Sequence, residues 1–143
     1  MTATDTRPIG NRDEAEVNYM LDRMHKSAAS GRLDLYIGCF HDGALFVGTD
    51  PSEHWDIDAF TDFCRTAFAK GSNWTYEPFD RTVHVVGDVA WFIERLRHAQ
   101  YGELRGSGVL TKVGSVWRIA QYVLSLPIPN NIFDHVVRQI EVG

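Results

Sequence analysis

Alternating apolar and polar residues mark the second half of this chain, between residues 74 and 126, as a run of β-strands. Two dipeptides with strong turn propensity, Gly87-Asp88 and Gly114-Ser115, divide the run into hairpins. The pattern predicts strands at 82–86, 89–96, 105–113 and 116–126. Because these strands follow one another directly, we expect them to form a meandering antiparallel sheet.

The turn positions also predict which residues lie opposite each other on neighbouring strands. With two-residue turns, Arg81 lies opposite Glu94 and Gly108 lies opposite Gln121. The same register places Gln121 and Ser125 on the inner face of the last strand. The apolar residues of that face are expected to pack on the helices. A polar continuation of that inward stripe is typical of a strand that runs from a core into a pocket.

The first helix is predicted from an apolar stripe in the N-terminal part of the chain. Asn11 is expected to cap it, and Gly31 is expected to end it. The stripe consists of Val17, Met20, Leu21, Met24 and Ala28. These spacings place the five side chains on one face, so the helix should lie on the sheet.

Three further helices are expected around the sheet. One spans 33–40 and ends in a turn at 41–43, after which a brief strand occupies 44–48. The next begins with a cap at Asp50, and a last short helix begins with a cap at Asn131. Helices grouped before a long sheet predict an α+β fold with a short C-terminal helix.

The overall composition excludes several classes of partner. The chain has 143 residues, of which 44% are hydrophobic and 23% charged, so we expect one domain at 11–143 behind a flexible tail at 1–10. A net charge of −5 without a basic block argues against nucleic acid or a membrane surface as partner. The two cysteines, Cys39 and Cys64, favour a reducing cytoplasmic location over a disulfide scaffold.

Glu94 is the most informative charged residue because it lies in the middle of an apolar strand. One interpretation is a pocket acid or base with a perturbed pKa, and the other is a cross-strand ion pair with Arg81. His98 follows four residues later on the same strand face and is the expected acid–base partner. Glu94 and His98 are therefore the catalytic candidates.

Several other residues are candidates for substrate binding. Glycines at 106 and 108 weaken a strand unless they provide curvature, a bulge or room for a ligand. Arg105, just before them, could hold an anionic group of a ligand or a neighbouring carboxylate. The expected substrate-binding residues are Trp55, Trp74, Arg81, Trp91, Arg105, Gln121 and Ser125. The six histidines lack metal-ligand spacing, so neither a metal nor another cofactor is expected.

Particular motifs in this sequence resemble the SnoaL-like branch of the nuclear transport factor 2-like superfamily. They are Gly48-Thr49-Asp50-Pro51 with Trp55, Trp74-Thr75-Tyr76, Gly87-Asp88-Val89-Ala90-Trp91-Phe92, Arg105-Gly106-Ser107-Gly108-Val109-Leu110, and the strand from Trp117 to Ser125 with Pro127-Ile128-Pro129-Asn130 after it. The resemblance covers about residues 12–140. It implies a curved sheet wrapped around the helices into a cone, with a pocket at the open end and dimerisation through the outer sheet face.

The resemblance leaves the activity open, because the superfamily contains isomerases, dehydratases, cyclases and binding modules. The tyrosine-plus-acid arrangement of ketosteroid isomerase-like enzymes and the histidine pair of scytalone dehydratase have no match here. We expect a small apolar or aromatic ligand with one polar or anionic handle, and cofactor-independent isomerisation, dehydration or cyclisation if the site is catalytic. The alternative is a non-catalytic dimerising module for ligand binding or assembly. Its outer sheet face would include Ser107, Val109, Thr111, Arg118, Ala120, Tyr122 and Leu124.

Overall fold

A computed structural model describes residues 9–143, with side chains described from residue 12 onward. The elements are α1 (Ile9–Ala29), α2 (Leu33–Ile37), β1 (Phe40–Val47), β2 (His54–Asp56), α3 (Ile57–Ala69), β3 (Glu77–Val86), β4 (Val89–His98), β5 (Gly102–Val113), β6 (Val116–Ser125), a 3-10 turn (Asn130–Ile132) and α4 (Phe133–Val142). Because α1 begins at Ile9, the helix includes the last two residues of the predicted tail. The rest of that tail and the Asn11 cap lie outside the described residues and side chains.

The six strands form one sheet in the order β2-β1-β6-β5-β4-β3. Strands β3 to β6 make the predicted antiparallel meander, with Gly87 and Gly114 at the hairpin turns in the left-handed conformation, at φ 59 and 64. Strand β1 extends the sheet by pairing parallel to β6, and β2 pairs antiparallel to β1. The α+β class with N-terminal helices, a curved sheet and a short C-terminal helix is confirmed.

The core lies between the helices and one face of the sheet. Helix α1 presents its predicted stripe, and Val17 and Leu21 are completely buried. On the sheet side the buried residues include Phe92, Leu96, Leu110, Trp117 and Ile119. Full burial of one large aliphatic side chain stabilises a fold by about 1.5–3 kcal/mol, so this contact holds α1 on the sheet.

Three predicted boundaries are wrong, for local reasons. Residues 41–43 belong to β1 rather than to a turn, because that strand pairs with β6 and buries Phe40 and Ala44. Helix α3 is capped by Asp56, whose side chain accepts a hydrogen bond from the Ala59 N–H at 2.8 Å. The predicted caps at Asp50 and Asn131 are not used for helices, since a turn follows Asp50 and α4 begins only at Phe133.

The predicted register is right between β3 and β4. Between β5 and β6 it is right on the turn side of a bulge, where Leu110 lies opposite Ile119, and wrong beyond that bulge. Arg81 lies opposite Glu94, as the sequence predicts. A bulge in β6 shifts the second pair, so that Gly108 lies opposite Tyr122 instead of Gln121. An extra residue reverses the faces beyond it: Tyr122 is buried against the helices, and Gln121 moves to the other face. The predicted outer positions of Tyr122 and Leu124 are therefore wrong.

Both cysteines are free thiols inside the core. Burial raises the pKa of Cys39 to about 11 and that of Cys64 to about 12, so both stay protonated at neutral pH. Within residues 9–143, no helix is long and apolar enough to cross a membrane. The cytoplasmic location stays a prediction.

Candidate functional site

A cavity of about 350 Å³ opens between α3, the segment before β3 and the ends of β1, β4 and β6. Aromatic residues make most of its wall: Tyr36, Phe46, Trp55, Phe60, Phe63, Trp74, Tyr76 and Tyr101. Its polar lining side chains are Thr49, Glu53, Asn73, His98 and Gln100. The volume is at the small end of the range of about 300–1,000 Å³ for small-molecule sites. We call this space the aromatic cavity.

Local packing holds the rings of one wall close together. The rings of Trp55 and Phe63 stack at 4.6 Å between centroids, and those of Phe63 and Trp74 are nearly parallel at 4° and 6.0 Å. The backbone N–H of Trp74 donates to the carbonyl of Ala28 at 3.1 Å, which ties the loop before β3 to the end of α1. This wall therefore presents fixed aromatic surface before any ligand binds.

The imidazole of His98 is the main polar group of the opposite wall. Its Nδ1 accepts hydrogen bonds from the backbone N–H groups of Gln100 at 3.1 Å and Tyr101 at 3.2 Å. In the neutral ring the proton must then be on Nε2, which makes that nitrogen a hydrogen-bond donor. The imidazole packs against the rings of Tyr101 and Tyr76, at 4.6 and 5.2 Å between centroids. Those contacts fix its orientation.

Glu53 is the carboxylate of the cavity lining. Its Oε1 accepts a hydrogen bond from the backbone N–H of Asp50 at 2.9 Å, and its own carbonyl accepts one from the Gly48 N–H at 2.8 Å. The side chain folds back over Gly48, where an added Cβ would lie 2.6 Å from Oε1. Burial, together with the charges of Tyr101 and Glu53, raises the pKa of Tyr76, so that phenol stays neutral.

Glu94 lies in a different environment, which we call the buried network: Glu94, Arg81, His25 and Tyr122. The carboxylate is completely buried. Its Oε1 accepts from the Arg81 Nε at 2.8 Å, while Oε2 lies 2.7 Å from His25 Nε2 and accepts from the Tyr122 hydroxyl at 2.6 Å. The predicted ion pair between Arg81 and Glu94 is therefore present.

Opposing effects set the protonation of the buried network. Burial alone would raise the pKa of Glu94, but the hydrogen bond and charge of His25, with the Arg81 charge and the Tyr122 hydroxyl, outweigh it. The net pKa of Glu94 is lowered, so the carboxylate is ionised at neutral pH. Burial, and then the charge of Glu94, raises the pKa of Tyr122 well above its ordinary value.

The buried network joins α1 to three strands. Arg81 Nη1 also donates to Asp22 at 2.9 Å and to the side-chain oxygen of Asn18 at 3.1 Å, both on α1. Gly106 makes room for the network, because an added Cβ would overlap the Tyr122 hydroxyl. Glu94 does not belong to the described lining of the aromatic cavity. Its contacts are those of a structural ion pair, which was one of the two interpretations from sequence.

The predicted substrate-binding residues separate into three groups. Trp55 and Trp74 line the aromatic cavity together with the catalytic candidate His98. Arg81 belongs to the buried network. Trp91, Arg105, Gln121 and Ser125 lie elsewhere on the sheet. Within residues 12–143, no three His, Cys, Asp or Glu side chains are arranged to hold a metal ion. The roles of all these residues in binding or catalysis stay predictions.

The four predicted residues that lie outside both the aromatic cavity and the buried network are placed on the sheet as follows. Trp91 is 44% exposed on the outer sheet face and stacks on His84 at 5.6 Å. Gln121 is half-buried on the same face beyond the β6 bulge. Arg105 is exposed, and its carbonyl accepts a hydrogen bond from the Ser125 hydroxyl at 3.4 Å. Neither Arg81 nor Arg105, the two arginines that the sequence suggested for an anionic handle, lines the aromatic cavity.

Sequence reasoning missed two members of the buried network, His25 and Tyr122. His25 follows the stripe residue Leu21 by four positions, so helical spacing alone could have placed it toward the sheet. Tyr122 had no such signal, because the β6 bulge reverses its face. Sequence reasoning also missed two residues of the aromatic cavity, Tyr36 and Phe46. Their positions in the chain lie far from the strands that complete the cavity.

Comparisons with known proteins agree with this geometry at the level of family and fold. The profile of the SnoaL-like domain matches residues 17–129. No curated protein matches the chain. An NTF2-like protein of unknown function from Pseudomonas putida is 17% identical, with a TM-score of 0.75 over 86% of this chain and 92% of its own.

Two other similar structures have provisional names. A protein from Streptomyces avermitilis, provisionally named a dehydratase of the NTF2-like family, is 12% identical, with a TM-score of 0.69 over 83% of this chain and 99% of its own. A protein from Novosphingobium aromaticivorans, provisionally named an aromatic ring hydroxylase, is 15% identical, with a TM-score of 0.70 over 87% of this chain and 94% of its own. At these identities the likeness establishes the fold alone.

Proposed function

Because this chain belongs to the SnoaL-like domain family, we propose that it binds a small, largely apolar or aromatic molecule in the aromatic cavity. The observation that carries the proposal is the cavity itself, a space of about 350 Å³ whose wall is mostly aromatic. Aromatic side chains supply large contact areas and prefer stacked or edge-to-face partners, so a planar ligand suits this wall. A few polar groups among apolar walls are typical of small-molecule sites.

His98 supplies the polar contact in this proposal. Its Nδ1 is occupied by two backbone N–H groups, so Nε2–H is the free donor of the neutral ring. A hydroxyl or carbonyl oxygen on the ligand would accept from it. The side-chain amides of Asn73 and Gln100 also line the cavity and offer both donors and acceptors.

Binding is better supported than catalysis by this arrangement. The other catalytic candidate, Glu94, is completely buried and holds three partners in the buried network. Proton transfer by His98 through both ring nitrogens would require Nδ1 to lose its two backbone donors. We therefore place cofactor-independent isomerisation, dehydration or cyclisation second to ligand binding.

Titration calorimetry with 3-tert-butylphenol tests the proposal. We expect Trp74→Ala to weaken binding by about tenfold or more, because an aromatic contact contributes about 0.5–1.5 kcal/mol beyond the area that it buries. Trp91→Ala is the matched control, since that tryptophan lies on the outer sheet face. It should leave the dissociation constant unchanged.

The melting temperature of each variant must be measured in parallel, because Trp74 also packs against Tyr36 and Phe68. Trp55→Ala provides a second, independent change in the same wall. Equal binding by wild type and both cavity variants would contradict the proposal, and so would a loss of binding in Trp91→Ala alone.

A second property is favoured by the outer sheet face, and we propose that two copies of the chain associate through it. Three alternate residues of β4 are large, apolar and strongly exposed: Val89 at 43%, Trp91 at 44% and Ile93 at 48%. Val109 and Val123 of β5 and β6 extend this row across the sheet. A two-fold axis would bring identical apolar residues together, which is how self-complementary interfaces form.

Sedimentation analysis of Ile93→Glu tests this association. Two buried carboxylates at the interface would oppose dimer formation, so the variant should sediment as a monomer and the wild type as a dimer. Ile140→Glu, an equal change at an isoleucine of α4 that is 72% exposed, serves as the control and should stay dimeric. A monomeric wild type, or a dimer that tolerates Ile93→Glu, would contradict the proposal.

A further inference from the structure

The charge of the aromatic cavity is set by very few residues. Among the described residues that line it, none is Lys or Arg, and Glu53 is the only carboxylate. Tyr36 and Tyr76 stay neutral, because burial raises the pKa of both phenols. A ligand in the cavity therefore meets one fixed negative charge and no fixed positive charge from the lining side chains.

The Glu53 carboxylate has capacity left for a ligand. Its Oε1 holds the backbone N–H of Asp50 at 2.9 Å. Among the described residues, no Lys, Arg or His forms an ion pair with Glu53, whereas Glu94 and Asp13 each have a cationic partner. The Glu53 carboxylate is held in place, but no cationic side chain in the described part of the chain neutralises it. Its negative charge therefore favours a positively charged group nearby.

The aromatic wall favours the same charge. Trp55, Phe63 and Trp74 form a stacked row on one side. On another, the ring of His98 stacks on Tyr101 and contacts the tilted ring of Tyr76. The face of an aromatic ring carries negative electrostatic potential, so cations lie favourably over such faces. Tryptophan provides the strongest of these contacts, and the cavity has two.

Together these features identify a ligand class. Resting on the proposed binding function, we propose that the aromatic cavity selects a small organic cation with an alkylated ammonium group, held by the aromatic faces and by Glu53. An unsubstituted ammonium is strongly hydrated and needs several acceptors to replace its water. Alkyl groups on the nitrogen spread the charge and suit a mostly apolar wall.

Three probes of similar size test the charge preference by titration calorimetry. They are the cation 3-hydroxyphenyltrimethylammonium, its neutral isostere 3-tert-butylphenol, and the anion 3-hydroxybenzoate. We expect wild type to bind the cation about tenfold more tightly than the neutral isostere, with the anion weakest. The tert-butyl and trimethylammonium groups have nearly the same shape, so the difference reports charge.

Glu53→Gln removes the charge and keeps an oxygen for the Asp50 N–H. We expect it to abolish most of the preference for the cation while binding of the neutral isostere stays the same. Glu16→Gln, on the exposed side of α1, changes the net charge equally and should keep the preference. The melting temperatures of both variants report whether Glu53→Gln is still folded.

The possible outcomes separate the two proposals. If wild type binds none of the three probes, both the binding function and the charge preference are wrong. If the neutral isostere or the anion binds as tightly as the cation, only the charge preference is wrong. The same conclusion follows if Glu53→Gln retains the preference as fully as Glu16→Gln.

Discussion

Glu94→Gln is expected to lower the free energy of unfolding by about 3–5 kcal/mol, because Arg81 loses its buried counter-charge and keeps only the exposed carboxylate of Asp22. The Glu94 carboxylate is completely buried and holds Arg81, His25 and Tyr122 at 2.6–2.8 Å. A typical domain has a total stability of about 5–15 kcal/mol, so this single change could remove much of it. Urea denaturation of the purified variant measures the loss.

A double-mutant cycle with Arg81→Gln identifies the source of that loss. Either single change breaks the ion pair, so the double variant should lose much less than the sum of the two single losses. Glu103→Gln is the control, because Glu103 pairs with Arg95 on the exposed surface and should change stability little. Additive losses, or a Glu94→Gln protein as stable as the control, would contradict the structural role.

The same pair gives a pH dependence with a defined sign. The pKa of Glu94 is lowered in the folded protein from an unfolded value of about 4.3, so its stabilisation is complete above that value. It is lost as the pH falls through the lowered folded pKa. The stability difference between wild type and Glu94→Gln should therefore shrink as the pH falls into strong acid.

Gly108→Ala is the second change with a large expected effect. An added Cβ would overlap the backbone carbonyl oxygen of Gln121, which the bulge in β6 brings against this position. A backbone atom cannot rotate away as a side chain can, so the strands must move. We expect a loss at the upper end of the range of about 1–3 kcal/mol for overpacking, measured by urea denaturation.

Gly43→Ala is the matched control for this change. Gly43 also lies in a strand, β1, but an added Cβ there meets no atom within 4 Å. Alanine restricts the unfolded chain more than glycine does, so this variant should be unchanged or slightly more stable. If both alanine variants have the same stability, the bulge does not need a glycine at 108.

The ion pair of Glu94 could be predicted from sequence because it depends on one tight turn. Gly87-Asp88 sets the register of a single hairpin, and Arg81 then lies opposite Glu94. The same reasoning fails in the next hairpin, because a bulge adds one residue to β6. The alternation of apolar and polar residues in the sequence does not reveal that extra residue. The glycines at 106 and 108 were the local signal, and sequence alone could not tell a bulge from curvature or from room for a ligand.

The candidate site shows the same limit. Residues an even number apart lie on the same face of a strand, so the alternation on β4 correctly placed Glu94 and His98 on one face. The same rule places Trp91 on the opposite face, since 91 and 94 differ by an odd number. The aromatic cavity combines residues from α2, α3, four strands and three loops. Such a site depends on tertiary packing, so sequence patterns could supply single members such as Trp55 and Trp74 but not their arrangement.

The four tryptophans permit one direct test of the aromatic cavity as the ligand site. The indole N–H signals of Trp55, Trp74, Trp91 and Trp117 can be followed by NMR while 3-tert-butylphenol is added. Binding in the cavity predicts that the signals of Trp55 and Trp74 shift and saturate together, while those of Trp91 and Trp117 stay in place. A shift confined to Trp91, or no shift at saturating probe, would show that the cavity is not the site.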